Sequence, residues 1–333
     1  MPTPYLLFLG DVTEAGYAKT AFGLRDWAPD KCVGEYALPG ATVSADLPRL
    51  SPTDAAAQGA KALVIGIANT GGVLAPSWIP ALLEALDVGL DVISGMHSRL
   101  GDHPLLRERA ERLGRRLIDV RRPPAGIPIA TGLKRSGMRL LTVGTDCALG
   151  KKYTALAIAR GFSERGLTAE FRATGQTGIM IAGSGMPMDA VVADFAAGAA
   201  ELLSPDTDPG HWDVIEGQGS ILHPAYSGVS LALLHGSQPD VIVVCHDTSR
   251  AMLLGHEPFP VPGVGEVIDL TIRLGQRVNP AIRCGGVTIN TSALDPDAAA
   301  VLLDREASRL GLPVADPMRG GDRFARLLDA CLA

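Results

Sequence analysis

Residues 138–155 read MRLLTVGTDCALGKKYTA, and no other stretch constrains the fold as tightly. An apolar run ends at Gly144, five residues follow, and Gly150-Lys151 opens a helical pattern. Glycines at these two points let backbone N–H groups turn inward around an anion. The helix N-terminus adds partial positive charge and Lys151 a full one. Strand, glycine-bounded loop and helix in this order make a phosphate-binding loop at the carboxyl edge of a parallel sheet. Its residues are Gly144, Thr145, Asp146, Cys147, Ala148, Leu149, Gly150, Lys151, Lys152, Tyr153 and Thr154.

The loop is a Walker A motif with one extra residue before Gly-Lys, similar to the GTD-type loops of dethiobiotin synthetase-like proteins. It departs from a nucleotidase at one point. Lys152 stands where a Ser or Thr would hold Mg²⁺, Tyr153 follows, and the next Ser or Thr, Thr154, is three positions past Lys151. Adjacent lysines favour phosphate binding without a metal at that position. The motif therefore argues for a phosphorylated ligand more strongly than for ATP hydrolysis, and leaves a role for Mg²⁺ open.

Apolar runs at 5–9, 62–67, 91–94 and 117–120 alternate in the first half with helical patterns at about 76–86 and 104–115. Strand candidates in the second half fall at 139–143, 168–172, 213–215, 240–245, 286–290 and 313–315, with a helix near 152–165. Such alternation implies parallel pairing with helices on both faces. Two doubly wound α/β domains are expected: a Rossmann-like domain over 1–125 and a P-loop NTPase-like domain over 138–333. Residues 121–137, RRPPAGIPIATGLKRSG, are rich in proline, glycine and basic residues and read as a linker or strap, with 126–137 as the linker between the domains.

Composition narrows the function. Hydrophobic residues make up 47% of the chain and aromatics only 5%, so Ala, Val, Leu and Ile must fill the cores. A net charge of −6 argues against a broad nucleic-acid or anionic-membrane surface, while allowing a small basic pocket. Cys32, Cys147, Cys245, Cys284 and Cys331 show no CxxC spacing, which fits reduced thiols in the cytoplasm rather than a zinc site. No apolar run is long enough to span a membrane, and the amino terminus lacks a signal-peptide pattern. Ala/Leu-rich helix surface makes a homo-oligomer an expectation.

Other polar residues cluster where strands are expected to end. Glu216 follows DVI in a Walker B-like position, where it would hold a metal, act as a general base or cap the next turn. His223 lies seven residues on, before a proline. His246-Asp247 closes DVIVVCHD, and the two side chains point to opposite faces unless the strand has already ended. Gln176 lies in the polar turn RATGQTG. In the first half, Asn69, Thr70 and Gly71 form a turn suited to a carboxylate, with Arg121 supplying charge. Cys147, near a helix N-terminus and two lysines, is in a setting expected to lower a thiol pKa, which makes it a candidate nucleophile for a covalent route.

GTDCALGKKYTA, TGQTGIMI, DVIEGQGSILHPAYSGVSLALLHGSQPD and VVCHDTSR together resemble the bacterial family that includes D-glutamate N-acetyltransferase, long described as a domain of unknown function. IGIANTGG, ISGMHSRLGDHP and IDVRRPP extend the resemblance over nearly the whole chain. It implies acetyl-CoA as donor, D-glutamate or a similar D-amino acid as acceptor, and a P-loop fold turned to CoA. On that reading residues 144–154 bind the CoA phosphates and Glu216, Asp247, His223 and His246 are the candidates for proton transfer. Asn69, Thr70, Gly71, Arg121 and Gln176 would hold the acceptor, with the site expected between the domains. The alternatives are an ATP-dependent ligase or kinase of dethiobiotin synthetase-like type, and a non-catalytic nucleotide-binding protein.

Overall fold

The computed structural model describes residues 1–69 and 71–333. They divide into two compact units, each a parallel α/β sheet. The first holds residues 1–122 together with Gln176–Pro187. In chain order its elements begin β1 (Tyr5–Gly10), α1 (Lys19–Trp27), β2 (Cys32–Ala37), α2 (Pro52–Ala57) and β3 (Ala62–Ile65). They continue α3 (Ile79–Asp87), β4 (Asp91–Ser94), α4 (Pro104–Leu113) and β5 (Leu117–Asp119). The strands pair in the order β2-β1-β3-β4-β5, all parallel. β1 is buried along its whole length because helices cover both faces, which explains its unbroken apolar sequence.

β2 has no apolar signal because it carries Gly34 and Glu35 in an edge strand. Both residues are used. A Cβ at Gly34 would sit 2.5 Å from Pro48 O, so only glycine lets the 48–50 segment lie against the strand. Glu35 is fully buried and accepts hydrogen bonds from Ser44 Oγ (2.8 Å) and Ala45 N (2.5 Å). The expected helix after Pro76 is a 3₁₀ turn, Pro76–Trp78, followed by α3, which buries Ile79, Leu82, Ala85 and Leu86 at helical spacing.

The second unit comprises 123–175 and 188–333. Its amino-terminal elements are β6 (Met138–Gly144), α5 (Lys151–Glu164) and β7 (Ala169–Arg172). The chain then makes its excursion into the first unit, through α6 (Gln176–Ala182), and returns at Met188, whose N–H bonds Thr174 O (3.1 Å). Next come α7 (Ala196–Leu203), β8 (Trp212–Ile215), α8 (Ser227–Ser237), β9 (Val241–His246) and α9 (Val264–Gly275). β10 (Arg283–Ile289), α10 (Pro296–Leu310), β11 (Val314–Ala315) and α11 (Gly321–Leu332) complete the unit. The strand order is β11-β10-β9-β6-β8-β7, all parallel. β6 thus has β9 on one side and β8 on the other, and the crevice beyond its carboxyl end is where such sheets bind ligands.

α6 joins the first unit through specific bonds. Thr177 Oγ1 lies 3.0 Å from Thr20 Oγ1 on α1, and Lys31 Nζ donates to Ile181 O (2.6 Å). Chain order and compact unit therefore part at Gln176, where the sequence carries no boundary signal. The proline- and glycine-rich strap is firmly held on the second unit. Thr131 and Gly132 donate to the Glu201 carboxylate, and Ser136 donates to Asp206. Arg139 on β6 is wholly buried and ties the strap down, donating to Ser136 O (2.9 Å), Pro205 O (2.7 Å) and Ser204 Oγ (2.7 Å).

Arg139→Met removes every one of these donors while filling much of the volume. The stability loss expected from leaving buried acceptors unpaired is about 3 kcal/mol. Denaturant unfolding measures it, and an unchanged midpoint would contradict the role given to Arg139.

Candidate active site

The loop after β6 is shaped by two cations and a buried carboxylate. Lys151 is 6% exposed, and its Nζ folds back to donate to Asp146 O (2.7 Å). A Cβ at Gly144 would come within 3.1 Å of that Nζ and 3.2 Å of Cys245 O, a tight fit. Burial pushes the Lys151 pKa down. Ala148 adopts a left-handed φ of 52°, and Gly150 a φ of 101° just before the helix. The residue that precedes α5 is Gly150, so no side chain caps the helix from that position. Leu149 is buried and anchors the turn. Lys152 Nζ lies over the Tyr153 ring, 5.1 Å from its centre.

Thr154 is placed differently from the rest of the loop. It is 2% exposed, with Oγ1 3.1 Å from Thr288 Oγ1 and 3.5 Å from Cys245 Sγ. That hydroxyl belongs to the packing of α5 on β9 and β10. Thr145 instead bonds His246 Nδ1 (2.9 Å).

Glu216, just past β8, is buried, and its Oε2 accepts from the N–H groups of Thr174 (2.9 Å) and Gly175 (3.1 Å). Burial raises its pKa, opposed first by the charge of Lys152 and then by these amides. The following glycine is required: a Cβ on Gly217 would lie 1.7 Å from Thr142 O, and Gly217 N donates to Thr142 Oγ1 (2.9 Å). β6 and the turn after β8 are thereby held in direct contact.

The other three candidates differ in their available lone pairs. Asp247 Oδ1 accepts from Ser249 N (3.0 Å) and Oγ (2.6 Å), closing the turn beyond β9. His246 is the last residue of β9 and Asp247 lies outside it, so the alternation rule does not govern the pair. Burial lowers the His246 pKa and keeps the ring neutral near pH 7. In His223, Nδ1 accepts from the N–H groups of Ala225 (3.1 Å) and Tyr226 (3.2 Å). Two donors at Nδ1 place the ring proton on Nε2, which is buried, has no hydrogen-bond partner and lies 3.8 Å from Asp146 Oδ1. Asp146, Cys147 and His223 have ligand atoms within 4.8 Å of one another, but a protonated Nε2 does not bind a metal ion.

Cys147 corrects an expectation. Lys151 and Arg250 do lower its pKa, but desolvation is the larger effect and Asp146 adds to it, so the thiol pKa is raised. A helix N-terminus and lysines in the sequence do not reveal how much water the fold removes.

In the first unit, Arg121 and Gln176 meet although 55 positions separate them. With its amide satisfied at both ends, Gln176 donates to Gly95 O (2.6 Å) and accepts from Arg121 Nη2 (3.1 Å). Arg121 Nη1 also reaches the exposed His97, 2.7 Å from Nε2. Asn69 spends its amide on its own loop, donating to Val73 O (2.9 Å) and accepting from Val73 N (3.1 Å). Gly71 is exposed with a φ of 75°, and Thr70 lies outside the described residues.

One residue of the site escaped sequence reasoning. Arg250, in the loop after β9, donates to Asp146 Oδ2 (3.1 Å), Cys147 O (2.8 Å) and Ala148 O (3.1 Å). Its signal was a lone cation shortly after a strand end.

This arrangement has relatives. Residues 128–327 match a family described as a domain of unknown function (DUF1611_C), P-loop domain, and residues 31–123 match its DUF1611_N Rossmann-like domain. The chain belongs to the DUF1611 family. It is 48% identical over 331 residues to a D-glutamate N-acetyltransferase of Tritonibacter scottomollicae, covering 99% of both chains. A D-glutamate N-acetyltransferase of a Pseudoalteromonas species is 44% identical over 318 residues, covering 96% of both. A DUF1611 family crystal structure from Anabaena variabilis ATCC 29413 superposes with a TM-score of 0.87 at 32% identity, covering 99% of both chains. Among the described residues no helix is long and apolar enough to cross a membrane.

The raised Cys147 pKa sets a measurable reactivity. Iodoacetamide is expected to label Cys147 more slowly than free cysteine at pH 7, with the rate still climbing above pH 9, read by mass spectrometry of its peptide. A rate that levels off below pH 8 would mean an activated thiolate.

Proposed function

We propose that the chain transfers the acetyl group of acetyl-CoA to the amino group of D-glutamate or a related D-amino acid. The observation that carries the donor assignment is the phosphate loop itself. Lys152 occupies the position of the Mg²⁺-holding hydroxyl, and Thr154 is committed to Thr288 and Cys245. A loop rich in cations and lacking that ligand suits the diphosphate of CoA. The reaction class rests on the two relatives named above. Five free cysteines support a reducing compartment such as the cytoplasm.

In the reaction the amine nitrogen attacks the thioester carbonyl, the C–N bond forms, the C–S bond breaks and CoA leaves as the thiolate. The nitrogen must shed a proton. Glu216 is the group we assign to take it: a buried carboxylate with a raised pKa, beside the loop that holds the donor. Two backbone donors on Nδ1 leave His223 without a free lone pair. The Cys147 relay loses its motive because the thiol is not activated. For the acceptor's carboxylates, Arg121 with Gln176 offers a positioned guanidinium on the first unit.

Two measurements test this reading. Incubation with acetyl-CoA and a panel of D- and L-amino acids should release free thiol, most with D-glutamate. No release with any acceptor would overturn the proposal. Glu216→Gln should lower kcat by about 10²–10⁴-fold with an unchanged circular-dichroism spectrum. Because the base must be ionised, the wild-type rate should rise with pH through a pKa above the ordinary carboxylate value, and the variant should lose that limb. Full turnover in the variant would remove Glu216 from the role.

A further inference from the structure

Arg250 does more than add charge to the phosphate site. Its guanidinium donates to the carbonyls of Cys147 and Ala148 and to the carboxylate of Asp146, three acceptors from consecutive residues. Asp146 is wholly buried and also accepts from Leu254 N (3.0 Å), four residues after Arg250, so the loop after β9 grips the phosphate loop at two points.

A trans peptide is planar, with its C=O and the next residue's N–H pointing in opposite directions. Drawing Cys147 O and Ala148 O toward the guanidinium therefore turns the N–H groups of Ala148 and Leu149 the other way. Among the described residues no acceptor holds either amide. Successive amides facing one side around a left-handed residue, here Ala148, make an anion-binding concavity.

We propose that Arg250 is the positioning residue of the phosphate site, holding the Ala148 and Leu149 amides toward a ligand diphosphate so that binding needs no divalent cation. The identity of the ligand as CoA rests on the function proposed above; the orientation of the amides does not. A lysine at 250 would carry the charge but could not span two carbonyls and a carboxylate with one planar group.

Calorimetric titration in EDTA tests this with three probes: CoA, inorganic pyrophosphate and phosphate-free pantetheine. Wild type is expected to bind CoA and pyrophosphate. Arg250→Ala should weaken both at least tenfold and leave any pantetheine binding within twofold. Arg250→Lys, the milder change should the alanine variant unfold, should stay at least fivefold weaker than wild type for pyrophosphate. Undiminished pyrophosphate binding in either variant, full rescue by lysine, equal weakening for pantetheine, or wild-type binding that appears only with Mg²⁺ would each overturn the inference. Wild type that binds pyrophosphate through Arg250 but not CoA would leave the inference standing and refute the donor assignment, whereas no pyrophosphate binding would overturn the inference directly.

Discussion

A carboxylate with no solvent exposure is costly to bury unless hydrogen bonds replace its water, and Asp146 is such a group. Its oxygens take the N–H of Cys147, the N–H of Leu254 and the guanidinium of Arg250. Those three donors come from the phosphate loop itself and from the loop after β9. Satisfying Asp146 thus closes the phosphate loop into one conformation and fixes where its neighbours must lie. The left-handed turn at Ala148 persists inside that frame, at a cost of about 1 kcal/mol for a residue with a Cβ.

The same frame decides which groups can do chemistry. Gly217 packs against Thr142 so closely that Glu216 is set by the path of β6. The backbone N–H groups of Ala225 and Tyr226 fix the tautomer of His223 and make it a donor facing Asp146. Thr154 is drawn into the core, which leaves a loop with positive charge and without the hydroxyl that a Mg-nucleotide enzyme requires. The donor proposed above rests on this chemistry: a phosphorylated acyl carrier suits the loop better than a nucleotide to be hydrolysed.

Most of this was legible in local pattern. Fully buried parallel strands read as apolar runs, and the glycine-bounded loop with Lys151 marked the turn from β6 into α5, because each depends on residues adjacent in sequence. What was not legible depends on the fold. β2 hides because Glu35 and Gly34 serve the segment packed against it. α6 belongs with the first unit through Thr20 and Lys31, which no pattern near Gln176 foretells. Cys147 looked activated because charge is visible in sequence and desolvation is not. Arg250 lies about a hundred positions from the carbonyls it holds.

The central claim is that residues 144–154 bind the diphosphate of an acyl-CoA beside Glu216. A crystal structure of the protein soaked with CoA in metal-free buffer tests it most directly. The account predicts the diphosphate against the amides of Ala148 and Leu149 and the ammonium of Lys151, with the thiol end running toward Glu216. Density for CoA elsewhere, with the loop accepting only Mg-ATP, would contradict it.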